Sequence, residues 1–130
     1  MARILIVEDD VSISRMYEFR LKSIGHDIRC AYDGEEGLRT AEEFLPNLLL
    51  LDLKMPVLNG DEMLEKLRAT AWGSEIRVII LTNISRSEAP SNLRFLNVDR
   101  YIVKVHHTPR QVVEIAEEVL NNNVSTEKKA

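Results

Sequence analysis

Leu48-Leu49-Leu50-Leu51-Asp52 is an unbroken apolar run closed by a carboxylate. Bounded upstream by Pro46-Asn47, it reads as a strand buried on both faces, the kind a parallel sheet forms when helices cover both of its sides. An ionised side chain inside such a strand would lose its hydration uncompensated. Asp52 is therefore placed at the strand's C-terminal tip, where an open α/β sheet has its ligand crevice. Leu53 to Gly60 follows as a loop punctuated by Pro56 and Asn59-Gly60.

Working outward, the same pattern recurs. Arg3-Ile4-Leu5-Ile6-Val7 is a short β-branched run that stops at Glu8, Asp9 and Asp10. Ile76 to Leu81 stops at Thr82-Asn83, and Tyr101-Ile102-Val103 stops at Lys104. A weaker strand spans Asp27 to Tyr32 before the turn Asp33-Gly34. Between the strands, apolar residues fall at helical spacing: Ile13, Tyr17, Leu21 and Ile24 up to Gly25; Leu38, Ala41, Phe44 and Leu45 up to Pro46; Met63, Leu64 and Leu67. Ser85 to Asn97 is read as a fourth helix, although Pro90 falls inside it and only Ala89, Leu93 and Leu96 share a face. Thr108-Pro109-Arg110-Gln111 combines an N-cap, a first-turn proline and a capping-box glutamine, with Val112, Ile115, Ala116 and Val119 as the buried stripe of a fifth helix. Five strands alternating with five helices predict a single-domain, doubly wound parallel sheet in the flavodoxin-like order 2-1-3-4-5. The domain is expected to occupy residues 1–121, followed by a polar tail over 122–130.

A chain of 130 residues, 45% hydrophobic and 29% charged, can bury a core without metal or disulfide staples. Its net charge of -4 argues against direct nucleic-acid binding or an anionic membrane surface. Cys30 stands alone and has no partner for an internal disulfide, and no apolar stretch is long enough to span or export. A cytoplasmic protein without membrane insertion is expected.

In a parallel sheet all strand C-termini share one edge, which gathers Glu8-Asp9-Asp10, Asp52, Thr82 and Lys104. Singly, each has a bland explanation: acids that cap the first helix, a hydroxyl bonded to backbone, a solvated lysine. Together they place two or three carboxylates, a hydroxyl and an ammonium at one rim. Crowded carboxylates raise one another's pKa unless a cation compensates. Mg²⁺ suits such a site, since it binds through one or two carboxylates and takes further ligands from water and phosphate. Lys104 and Thr82 can each hold a phosphoryl oxygen, which leaves Asp52 as a nucleophile able to form an acyl phosphate. His106-His107 with no third soft ligand nearby reads as loop packing rather than a transition-metal site.

These residues resemble those of a response-regulator receiver domain over about residues 2 to 120. The resemblance is carried by Ile-Leu-Ile-Val-Glu-Asp-Asp, Leu-Leu-Asp-Leu-Lys-Met-Pro-Val-Leu-Asn-Gly, the run ending Leu-Thr-Asn, and Tyr-Ile-Val-Lys. It implies a two-component signalling switch in which Asp52 accepts phosphate from a sensor histidine kinase or phosphotransfer protein. It implies that Asp9 binds Mg²⁺ directly, that Glu8 assists through water, and that the Lys54 carbonyl is a ligand. Thr82 would turn toward the phosphoryl group, Tyr101 would move inward, and Lys104 would pair with phosphate, altering the face offered to an unknown downstream protein. By the same register Asp10 is not a ligand. The chain departs from the family where Val105-His106 replaces the common Pro-Phe after Lys104, where Asn83 replaces a small residue, and where Asn97 stands for glycine. Without a proline after Lys104 a cis peptide is not expected there, since a non-proline cis bond costs about 2.5 to 4 kcal/mol.

Two other functions fit the same residue types. A Mg²⁺-dependent phosphohydrolase would share nucleophile, metal and lysine, but the acid that such enzymes carry two residues beyond the nucleophile is here Lys54. A flavin or nucleotide carrier on this fold would want a glycine-rich phosphate loop, and the chain has none.

Overall fold

The computed structural model describes residues 1–122. Strands β1 (Arg3–Val7), β2 (Asp27–Ala31), β3 (Leu48–Leu51), β4 (Arg77–Thr82) and β5 (Arg100–Val103) form one parallel sheet in the order β2-β1-β3-β4-β5. Helices α1 (Val11–Ser23), α2 (Gly34–Phe44), α3 (Gly60–Arg68) and α4 (Pro109–Asn121) connect or follow them. β3 lies at the centre, with Leu51 in register with Val7 on one side and Ile80 on the other. The four leucines of β3 are fully buried, as a strand covered on both faces requires.

Alternation along the strands divides the core in two. Leu5, Val7, Leu49, Leu51, Val78 and Ile80 pack against Ala41 and Phe44 of α2 and Met63, Leu64 and Leu67 of α3. Ile4, Ile6, Leu48, Leu50, Ile79, Leu81 and Ile102 pack against Tyr17 and Leu21 of α1 and Val112, Ala116 and Val119 of α4. Caps fix where the helices start: the Asp10 carboxylate accepts from Ile13 N at 3.1 Å, and Asp33 accepts from Glu36 N at 2.8 Å. Thr108 and Gln111 form the expected capping box, with Pro109 in the first turn.

Four α-helices, not five, are present among the described residues. The segment expected to be the fourth forms two 3₁₀ stretches, Arg86–Glu88 and Ser91–Phe95. Pro90 causes the break: it lacks an N–H, and it forces Ala89 out of the helical region to φ -65, ψ 148. Only Leu93 and Leu96 of this segment are buried, too narrow a stripe to hold a longer helix against the sheet. Its end is tied down instead by Arg68, whose guanidinium donates to the carbonyls of Leu96 at 2.8 Å and Asn97 at 3.1 Å. The same guanidinium reaches the carbonyls of Gly73, Ser74 and Ile76, so it joins the end of α3 to the β4 approach. Asn97 adopts φ 58, the left-handed conformation that asparagine tolerates. After Lys104 a short 3₁₀ turn, Lys104–His106, fills the loop before α4, and none of the described peptides is cis. Helix α4 ends at Asn121, and residues 123–130 of the expected tail lie outside the described residues.

Candidate functional site

The C-terminal ends of β1, β3, β4 and β5 converge as the topology requires. Glu8 and Asp52 are buried, Asp9 is exposed, and one oxygen from each of the three lies within 4.8 Å of the others. Lys104 stands between two of them: its ammonium bonds Glu8 Oε1 directly and approaches Asp52 Oδ2 at 3.1 Å. The remaining oxygens are held by backbone. Asp52 Oδ1 accepts from Leu53 N at 2.7 Å, and Glu8 Oε2 accepts from Asp10 N at 3.0 Å. Asp10 itself is turned to its capping role and stays out of the cluster.

One ammonium cannot balance three carboxylates, and both titrations move up. Burial pushes the Glu8 carboxyl above its ordinary 4.5, only partly offset by its bonds to Lys104 and Asp10. For Lys104, burial alone would lower the pKa, but the bond to Glu8 and the charge of Asp52 outweigh it and hold the amine protonated above 10.5. Three ionised carboxylates against one ammonium leave two negative charges, the charge of one divalent ion. All donors are hard oxygens, so the residues present fit such a cation.

Lys54 lies two residues beyond Asp52 with its side chain exposed, in a loop closed at its base by Gly60 N donating to Leu53 O at 2.8 Å. Asn59 closes the same loop from within: its side chain accepts from Met55 N at 3.3 Å, and it caps α3 reciprocally with Glu62. The Asn-x-x-Glu spacing signals this cap in the sequence.

Thr82 and Tyr101 are not bonded to the acids. Both hold the peptide backbone of Ile84: Thr82 Oγ1 accepts from Ile84 N at 3.4 Å, and the Tyr101 hydroxyl donates to Ile84 O at 2.6 Å. The Arg86 guanidinium lies 5.6 Å from the centre of the Tyr101 ring. Burial raises the Tyr101 phenol pKa, with Arg86 opposing it. Residue patterning gave no sign of the Ile84 link, because backbone bonds in an irregular loop leave no periodic trace.

Residues 4–117 match the response regulator receiver domain, and the chain belongs to that family. It is 42% identical over 103 residues to a probable transcriptional regulator, ycf27, of Porphyridium aerugineum, a match covering 78% of this chain and 41% of that protein. The chain thus spans about two-fifths of the length of that relative. A response regulator receiver domain protein (CheY-like) from Methanospirillum hungatei superposes with a TM-score of 0.84 at 31% identity, covering 100% of this chain and 99% of the other. The receiver domain of a sensor histidine kinase from Pseudomonas aeruginosa, solved with a magnesium ion coordinated in its active site cleft, superposes with a TM-score of 0.82 at 25% identity over 93% of this chain and 98% of its own. The chain is a receiver domain, the family of phosphorylation-switched modules of two-component signalling.

Proposed function

We propose that Asp52 accepts a phosphoryl group from a phosphohistidine of a sensor histidine kinase or phosphotransfer protein. The observation that carries this reading is the placement of Asp52: a buried carboxylate at the tip of the central strand, with Lys104 at 3.1 Å and two further carboxylates beside it. Leu53 N–H fixes Oδ1, which leaves Oδ2 to attack phosphorus. The new O–P bond forms as the donor P–N bond breaks, and the bonding pair returns to the imidazole nitrogen. Lys104 then follows the charge from the carboxylate to a phosphoryl oxygen. Asp9, Asp52 and the Lys54 carbonyl would hold Mg²⁺, with Glu8 assisting through water, and the ion would supply positive charge against the phosphoryl oxygens.

Thr82 and Tyr101 carry the switch. Once Thr82 donates its hydroxyl to a phosphoryl oxygen, it loosens its hold on Ile84 N, and the peptide to which Tyr101 is anchored becomes free to move. A phosphate event on β3 thereby reaches the segment 84–103 and the adjoining α4, the surface offered to a downstream protein. The domain acts by binding and not by turnover, since Lys54 occupies the place where a phosphohydrolase of this chemistry needs an acid. With a net charge of -4, direct nucleic-acid contact is not part of this role. No helix among the described residues is long and apolar enough to cross a membrane. A cytoplasmic location, beside the phosphodonor, belongs to this proposal. Backbone NMR with the phosphoryl mimic BeF₃⁻ and Mg²⁺ tests the switch: shifts should extend from Asp52 through Thr82, Ile84 and Tyr101. Shifts confined to the acidic cluster would refute it.

A further inference from the structure

The loop between β3 and α3 is held in a conformation that its own residues resist. Val57 has φ 68 and sits at the centre of a three-residue turn in which Leu58 N donates to Pro56 O at 2.7 Å. A β-branched side chain is crowded there, and 74% of Val57 is exposed, so burial does little to offset the strain. The neighbouring helices fix the loop instead. A Cβ built on Gly60, the first residue of α3, would lie 2.0 Å from the carbonyl oxygen of Asp52. A Cβ on Gly34, the first residue of α2, would lie 2.1 Å from the carbonyl oxygen of Leu58 and 2.8 Å from its carbon. Both obstacles are backbone, which cannot swing aside as a side-chain tip can. The loop is gripped between two helix starts, and each grip exists only because a methyl group is missing.

We propose that Gly34 is a positioning residue for the phosphoacceptor loop: by letting the start of α2 touch the Leu58 peptide, it sets where the Lys54 carbonyl stands. This rests on the Mg²⁺ reading given above. An alanine at 34 must push the Leu58 carbonyl out to at least 3.0 Å from its Cβ. The bond from Gly60 N to Leu53 O closes the loop's base, so the displacement falls on the residues between, Lys54 among them. In sequence, Asp33-Gly34 reads only as a turn.

The test compares Gly34→Ala with Gly25→Ala. Gly25 has φ 101, and a methyl group added to it would meet nothing within 4 Å, so alanine there strains the backbone before β2 without touching the loop. Thermal unfolding in EDTA and Mg²⁺ calorimetry are run on both variants and on wild type. Both variants should unfold at lower temperature, but only Gly34→Ala should weaken Mg²⁺ binding, by about tenfold. The half-saturating Mg²⁺ for labelling by acetyl phosphate should rise by the same factor, while the labelling rate at saturating metal stays near wild type. Unchanged Mg²⁺ affinity in Gly34→Ala overturns the proposal. Should Gly34→Ala not fold, a Mg²⁺ titration of wild type followed by backbone NMR decides: the Gly34 amide should shift with those of residues 53–60, and a Gly34 amide as still as that of Gly25 overturns the proposal. A wild type that binds no Mg²⁺ at all refutes the metal reading itself and takes this inference with it.

Discussion

Replacing Lys104 by methionine separates the two ways in which the acidic cluster can be neutralised. Methionine keeps much of the aliphatic stem and removes the charge. Glu8, Asp52 and Lys104 are only 5%, 10% and 11% exposed at their side chains, so solvent screens little of the loss. Breaking a buried ion pair by deleting one partner costs about 3 kcal/mol or more. For a domain of this size that is a Tm lower by roughly 10 °C, measured in EDTA. Mg²⁺ binds the same carboxylates, and at 100 times its Kd it stabilises the folded state by about 2.7 kcal/mol. It should do more for the variant than for wild type, because Lys104 no longer competes for Glu8 and Asp52. Differential scanning calorimetry with and without Mg²⁺ should therefore show a wide gap between the two proteins in EDTA and a narrow one at saturating metal. A gap of the same size in both conditions would refute the idea that lysine and metal share these oxygens.

Glu8 gives a pH signature to the same site. Its folded pKa lies above 4.5, so the folded state binds the proton more tightly than the unfolded chain, and metal-free stability rises as pH falls toward 4.5. Urea unfolding in EDTA should show wild type gaining on Glu8→Gln between neutral pH and about pH 5, and a difference that is flat or reversed would contradict this. Arg68→Ala removes the donor to five carbonyls, those of Gly73, Ser74, Ile76, Leu96 and Asn97, and should cost about 3 kcal/mol in chemical denaturation. Arg68→Lys should recover only part of it, because an ammonium cannot span the fork; a loss below about 1 kcal/mol in the alanine variant would show the network to be slack.

The sheet and the site's floor were legible because each rests on a run of residues with one physical demand. Leu48 to Leu51, behind Pro46-Asn47, reads as a doubly covered strand, which puts the carboxylate after it at the tip. Strand ends then gather Glu8, Asp9, Thr82 and Lys104 without further information. The register of the resemblance set Asp10 apart from the metal ligands, and its side chain caps α1. The fourth helix failed because local sterics at Ala89-Pro90 beat a weak apolar period. Arg68 and Ile84 were invisible for a common reason: their work is done on backbone carbonyls and amides of distant or irregular segments, which side-chain pattern does not record. The grip of Gly34 on Leu58 was hidden likewise, since a glycine after aspartate has an ordinary turn reading that needs no tertiary contact.

The most direct test of the site is the identity of its phosphoacceptor. Wild type and Asp52→Asn are incubated with acetyl phosphate and Mg²⁺, and the intact masses are compared. Wild type should gain the mass of one phosphoryl group, lost again on treatment with hydroxylamine as an acyl phosphate is, and Asp52→Asn should gain nothing. Equal labelling of the two proteins would place the phosphate elsewhere and contradict the reading of the site.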